Sequence, residues 1–279
     1  MKNFLILLIS ILLSCSDKKK KELSKTSTEA SLSQIQSKIP DFLSIDESYV
    51  GKEIIHSARE KLIQTYKKAL ERDFERPYMW DALQPDNENL IKIYTYKKYI
   101  INNQNFNSYC VKIKYEDASY EAILLTTDNL DTNNSDDSSI IVYENLISEE
   151  LYKRCSKIDN ANILIVLQKN KKEYNHFQYL ISENRFLDYF TNEEKQLNKN
   201  WGEHEDNTYE YQIKGNIKNH LKNGHWEEKR YSFEYNKSIW MDGEYNNGIR
   251  NKEWNIFPEG PVEKINVYNN GIIVKTFTP

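Results

Sequence analysis

Between residues 52 and 75 apolar side chains return every three or four positions, at Ile55, Ala58, Leu62, Tyr66, Ala69 and Leu70, with Lys, Arg and Glu between them. That period predicts an amphipathic helix. It should end near Arg76, because Pro77 disfavours helical backbone in the residue before it. The stretch YMWDALQPDNENL that follows reads as a loop or short helical turn with two bulky aromatics to bury. From Leu90 the period falls to two, seen best where Tyr109, Val111, Ile113 and Tyr115 alternate with Cys110, Lys112 and Lys114. Strands are therefore expected there and at Leu90 to Ile101, Tyr120 to Thr127, Ser139 to Tyr143, Asn162 to Gln168 and Phe177 to Ser182. Ile147, Leu151, Cys155 and Ile158 line one face of a second expected helix, with Ser148 as its N-cap. The polar segment TNEEKQLNKNWGEHED closes this α+β region.

The C-terminal quarter repeats itself. Gly215, Asn219, Asn223 and Trp226 return 28 positions on as Gly243, Asn247, Asn251 and Trp254, and Leu221 is answered by Ile249. Tyr245-Asn246-Asn247-Gly248-Ile249 then recurs letter for letter as Tyr268-Asn269-Asn270-Gly271-Ile272. Internal repetition of this kind points to a repeat architecture. Asn-Gly at Asn223-Gly224, Asn247-Gly248 and Asn270-Gly271 suits the positive φ angles of a tight type I′ turn, so a β-meander is expected. The units, GEYNNGIRNKEWNIFPEG being the clearest, resemble the MORN-repeat variant of bacterial proteins, in which glycine, tyrosine, an Asn-Gly turn and tryptophan mark each hairpin. The likeness covers about residues 208 to 279, and the first unit carries Ile217 where the tyrosine belongs. The resemblance implies structural roles for Gly215, Asn223, Gly224, Trp226, Gly243, Tyr245, Asn247, Gly248, Trp254, Tyr268, Asn270 and Gly271. It also carries an antitoxin-like label.

At the other end, MKNFLILLISILLSC sets Lys2 before an apolar core from Phe4 to Leu13, the layout of a signal peptide. The core falls short of the roughly 20 apolar residues a transmembrane helix needs. Leu12-Leu13-Ser14-Cys15 resembles the lipobox of bacterial lipoproteins, which implies cleavage before Cys15 and lipid on its thiol. The two or three acyl chains such proteins carry would anchor it, each buried methylene contributing about 0.8 kcal/mol. The lysine-rich, aromatic-poor segment SDKKKKELSKTSTEASLSQIQSKIP then reads as a tether. About 30 flexible residues have an r.m.s. reach of roughly 30 Å, enough to clear lipid headgroups.

Composition narrows the function classes. The 38 basic residues are scattered among 42 acidic ones, the formal charge is −4, and no basic stripe interleaved with aromatics marks a nucleic-acid partner. The mean hydropathy of −0.78 fits a water-exposed body. With 8 glycines in the chain there is no phosphate-cradling loop motif. His204 lies among Glu203, Glu205 and Asp206, and His220 and His225 flank Asn223-Gly224, but no helical His pair or Cys-x-x-Cys gives them a ligand geometry. No metal and no cofactor is expected. The acidic loop DNLDTNNSDDSS lacks the glycine and terminal glutamate of an EF-hand and reads as a solvated hairpin loop. Cys110 and Cys155 could pair in an oxidising compartment or stay buried thiols. Either would meet His56 or His176 as a catalytic pair only through the tertiary fold, and no Gly-x-Ser-x-Gly occurs, so no catalytic residue is assigned.

The expected organisation is a signal peptide over 1–14, a lipidated cysteine and flexible tether over 15–48, an α+β domain of mixed helix and antiparallel strand over 49–204, and a MORN-like repeat meander over 205–279. The expected function is that of an exported lipoprotein, held in the bacterial envelope by lipid on Cys15 and facing the periplasm or the cell surface. It acts by binding a protein partner, in an immunity- or antitoxin-like manner. The alternatives are an envelope enzyme with its site in residues 49–204 and a structural envelope protein.

Overall fold

A computed structural model describes residues 40–72, 85–115, 118–127, 137–147, 152–170, 173–191, 196–203, 209–258 and 260–279. The signal peptide, Cys15 and most of the tether lie outside these residues, as do Pro77, Ser148, Leu151 and most of the acidic loop. Residues Ile39–Pro279 form one compact unit.

The architecture corrects the α+β expectation. Among the described residues there is one α-helix, α1 (His56–Arg72), and everything else regular is antiparallel strand or short 3-10 turn. Strands β2 (Ile91–Ile101), β3 (Gln104–Tyr115), β4 (Ala118–Thr127), β5 (Ser139–Ile147), β6 (Tyr152–Ile158), β7 (Ile163–Asn170), β8 (Glu173–Ser182) and β9 (Arg185–Asp188) follow one another through a single sheet. A short ninth strand, β1 (Asp41–Phe42), pairs with β6. The second sheet runs in chain order through β10 (Leu197–Glu203), β11 (Tyr209–Lys218), β12 (Leu221–Ser232), β13 (Lys237–Asn246), β14 (Ile249–Phe257), β15 (Lys264–Asn269) and β16 (Ile272–Phe277).

The described residues of the expected second helix are strand instead: Ile147 ends β5 and Tyr152–Ile158 form β6. Its helical spacing was incidental. The alternation that matters sets Arg154, Ser156 and Ile158 on a buried face, and Arg154 pairs across the sheet with Glu144, also buried. Charges on an inward face hide the two-residue period from a hydrophobicity reading. Part of the polar segment before residue 205 is likewise regular. Leu197–Glu203 is the first strand of the second sheet, and Leu197 is buried.

The first sheet is covered on both faces, which explains the unbroken apolar runs Ile123-Leu124-Leu125 and Ile140-Ile141-Val142. Leu62, Ile63, Tyr66, Ala69 and Leu70 of α1 pack on one face, against Ile91, Ile93, Val111, Ala122, Leu124 and Ile141. The other face curls on itself around Phe42, Ile123, Leu125, Val142 and Val166, until the rings of Phe106 on β3 and Phe186 on β9 stand 5.5 Å apart.

The second sheet is ordered by its repeats. Gly215 faces Trp226 and Gly243 faces Trp254 across neighbouring strands. A Cβ added to Gly215 would lie 2.3 Å from the Trp226 ring, and one on Gly243 would lie 2.4 Å from the Trp254 ring. Each indole therefore lies on a bare glycine, and its Nε1 donates to a strand carbonyl, Asn216 O at 3.1 Å and Glu244 O at 3.2 Å. Tyr245 meets both indoles edge-on, its ring centroid 6.0 Å from Trp226 and 5.1 Å from Trp254, and Tyr268 continues the row. Gly243→Ala should destabilise the fold by about 1–3 kcal/mol through overpacking. Urea unfolding checks this, and an unchanged midpoint would show that the indole does not need the glycine.

Three of the second sheet's hairpins close on two-residue loops with both φ angles positive, at Asn219-His220, Asn247-Gly248 and Asn270-Gly271. Asn223-Gly224 is not a turn. It lies inside β12, where Gly224 has φ +73°, next to the bulge at Gly215/Asn216.

Candidate functional site

The two sheets meet where β9 and its extension run past the tips of the repeat hairpins. Arg185 Nη2 donates to Asn270 O at 2.7 Å. Leu187 packs beside Gly248, where an added Cβ would sit 3.4 Å from the leucine Cβ. Phe190 N donates to His220 O at 3.0 Å, and the His220 ring stacks on Tyr189 with centroids 5.0 Å apart. The three turns thus line up along alternate positions of β9 and its extension, so the Asn-initiated turns serve both the hairpins and the seam.

Behind this seam lies a buried network of charge. Glu228 is fully buried on β12, and its carboxylate accepts from Lys222 Nζ at 2.6 Å, Arg230 Nη2 at 3.0 Å, Arg250 Nη2 at 3.0 Å and the Tyr245 hydroxyl at 3.1 Å. Lys222 Nζ also meets Asp188 at 2.9 Å, and Asp188 meets Arg72 Nη2 at 3.1 Å. Arg72 further donates to the Phe186 carbonyl, which ties the end of α1 to β9. Arg185 grips both oxygens of Asp137 at 3.1 and 3.0 Å. The repeat explains two of these cations. Lys222 and Arg250 are equivalent positions, and each lies over its unit's tryptophan, at 5.0 and 4.3 Å from the ring centroids of Trp226 and Trp254.

Burial opposes the charges of Glu228, Asp188 and Lys222, and their partners override it. Burial works against ionisation of Glu228, but Arg230, Lys222 and Arg250 hold its carboxyl well below the usual carboxylate range. Asp188 is likewise held low, by Lys222, Arg72 and Arg230 against burial. Lys222 is held above the usual lysine range by Asp188 and Glu228 despite its burial. All remain ionised at neutral pH.

A cavity of about 110 Å³ adjoins the network. Its walls come from both sheets and the helix: Lys68, Glu71 and Arg72 of α1, Asp137 and Asp188 of the first sheet's rim, and Arg230, Tyr245, Arg250 and Tyr268 of the repeats. Arg72 lies in that wall only 8% exposed, and its Nη1 has no hydrogen-bond partner among the described residues. Comparison with family models, curated proteins and solved structures finds no match in any of the three. The site must therefore be read from its own chemistry.

Other sites raised by the sequence are dispersed. Among the described residues no cluster of three metal-ligating side chains occurs. His204, Glu205 and Asp206 fall outside the described residues, His220 Nδ1 lies 2.8 Å from Phe190 O, and His225 is exposed on β12 opposite Glu244. Cys110 is a buried thiol on β3, and burial pushes its pKa up to about 12, which removes it as a nucleophile at neutral pH. Cys155 and His176 flank Leu167 in register on three adjacent strands, which sets their backbones about 10 Å apart, too far for a hydrogen-bonded pair. His56 is exposed at the start of α1.

The members of the charged network were not singled out from sequence. Trp226, Glu228 and Arg230 do stand at a two-residue spacing, so one face of β12 carries a tryptophan with a carboxylate and a guanidinium. Inward charges next to a repeat tryptophan were the available signal.

Proposed function

We propose that this chain is an exported lipoprotein of the bacterial envelope, anchored by lipid on Cys15, that works by binding rather than by catalysis. The observation that carries the binding half is the preformed arginine-lined cavity at the seam, whose arginines are fixed by ion pairs before any ligand arrives. Such preorganisation favours binding because little side-chain freedom remains to be lost. The repeat sheet serves as its scaffold. Trp226 and Trp254 are buried at 0% and 1% exposure, so they hold hairpins together and offer no surface to a partner. The likeness to MORN-variant, antitoxin-like proteins adds a protein partner to this reading, with the lipid anchor setting the encounter in the envelope.

Two experiments test it. Cys15→Ala should move the protein out of the membrane fraction and change its mature mass. A variant that still fractionates with membranes at the wild-type mass overturns the anchor. For binding, hydrogen exchange of the mature chain should slow around residues 68–72 and 228–250 when an envelope extract containing both its proteins and its small molecules is added. Exchange unchanged throughout the chain overturns the binding reading.

A further inference from the structure

We propose that a second cavity at the seam is a cleft for an extended segment of a partner's polypeptide, held through the amides of its backbone. This rests on the protein-binding reading above and names the part of the partner that is gripped. The cleft measures about 420 Å³, within the range of about 300–1,000 Å³ usual for ligand pockets. It flanks the same hairpin turns as the arginine-lined cavity, with Gly248 and Gly271 in the wall of one and Asn247 and Asn270 in the wall of the other. Among the described residues five asparagines line it, Asn246, Asn247, Asn251, Asn269 and Asn270, together with Ser182 and Glu183 from the end of β8 and the turn after it. Leu180, Leu187, Leu221 and Ile249 supply the aliphatic part of the wall. Leu187 and Leu221 converge there, each with a methyl carbon 3.5 Å from a Cβ placed on Gly248.

Turn chemistry accounts for only part of this ladder of amides. Asn247 and Asn270 have φ +48° and +50°, the left-handed backbone that a tight turn demands and asparagine tolerates. Asn246 and Asn269 need no such backbone. They close strands β13 and β15, paired with Ile249 and Ile272, where asparagine is a poor strand former. The first hairpin carries Lys218 at the equivalent place, so the turn itself does not call for an amide there. The cleft amides are also unspent. Asn236 and Asn266 engage Tyr231 and Thr276, whereas none of the five cleft carboxamides has a hydrogen-bond partner among the described residues. A carboxamide sets an acceptor oxygen beside two N–H donors and carries no charge. Its complement is a neutral group with a donor beside an acceptor, which each residue of an extended backbone presents along its edge. The aliphatic residues decide between the neutral candidates. Branched side chains form separate sockets, which suit the alternate side chains of an extended peptide, and not the flat platform on which the C–H face of a sugar ring stacks.

The test uses the mature full chain, isotope-labelled at asparagine nitrogen, and three probes: a short blocked peptide alternating leucine with serine, the same peptide N-methylated along its backbone, and tetra-N-acetylchitotetraose. The parent peptide at about 1 mM should shift the side-chain amide resonances of Asn246 and Asn269. N-methylation should weaken binding about tenfold or more, because it removes the backbone donors. Asn246→Ala combined with Asn269→Ala should also weaken the peptide about tenfold. Both side chains are exposed, so the melting temperature of this double variant should match that of the wild type. No shift with the peptide up to about 5 mM overturns the proposal. Equal affinity for the N-methylated peptide overturns it too, as does wild-type affinity in the double variant. Shifts produced by the oligosaccharide and not by the peptide would make the cleft a glycan site and overturn it as well. If the peptide fails while envelope extract still slows exchange around 68–72 and 228–250, the cleft assignment falls and the binding reading stands.

Discussion

Glu228→Gln is expected to lower the free energy of unfolding by about 3–5 kcal/mol, the loss typical when one partner of a buried ion pair is removed. The substitution keeps size and shape, so the effect isolates charge. Lys222, Arg230 and Arg250 would be left around a neutral amide, with Asp188 the one remaining carboxylate on Lys222. Since a protein domain is stable by only about 5–15 kcal/mol, the variant gives up a large share of that margin.

The same residue governs the acid limit. Glu228 and Asp188 have carboxyl groups held below their ordinary range in the folded chain, so the unfolded chain binds protons more readily. Their contribution is complete above the unfolded carboxylate pKa, about 4, and is lost as pH falls through the lower folded values. Lys222, held above its ordinary 10.5, contributes below that pH and loses its contribution as pH rises through the folded value. The contribution of these three groups should therefore be flat between about pH 5 and 10 and fall on both sides. Urea midpoints across pH check this. The Glu228→Gln variant should show a shallower acid limb than the wild type. A loss below 1 kcal/mol, or an acid limb of wild-type slope, would mean that the cations around Glu228 are compensated elsewhere.

Trp226→Ala is the second large effect, expected to destabilise by about 3–5 kcal/mol. The indole is fully buried, packs on Gly215, stacks with Phe190 at 6.2 Å and meets Tyr245 edge-on. Its removal opens a void under Lys222, whose ammonium lies 5.0 Å from the ring centroid. Trp254→Ala should behave alike, because its surroundings repeat those of Trp226. Its indole also supports Arg250 at 4.3 Å, so this variant should disturb the cavity as well as the sheet. Equilibrium unfolding of both variants provides the measurement. A near-neutral Trp226→Ala would show that the repeat signature is not the core of the second sheet.

Several features of the fold could be read from local pattern. Helix α1 shows its 3.6-residue period because only one of its faces is buried, against the first sheet. Strands β2 to β5, β7 and β8 show alternation or short apolar runs. The turns at Asn247-Gly248 and Asn270-Gly271 were legible because positive φ at two successive residues selects those side chains. The turns at Asn102-Asn103, Glu183-Asn184 and Asn219-His220 adopt the same backbone without glycine, and so gave no such cue. Asn223-Gly224 had the right letters in the wrong place. Its glycine serves a bulge, and dipeptide identity cannot separate that need from a turn.

What the amino-acid sequence determined by itself is the repeat: a glycine and a tryptophan returning at a constant offset and Asn-Gly turns between them. These are local requirements of backbone angle and close approach, and each leaves its mark in the letters. The tertiary structure alone decided that β6 is a strand and that the charges meet. Arg154 opposite Glu144, and Lys222 with Glu228, are polar residues on inward faces, and a pattern of hydrophobicity counts them as surface. Their burial is favourable only because residues distant in the chain arrive beside them. Arg72 and Asp188 are brought together by the docking of α1 on the first sheet and of β9 along the repeat turns, and electrostatic partnership acts through space, with no period in sequence to announce it.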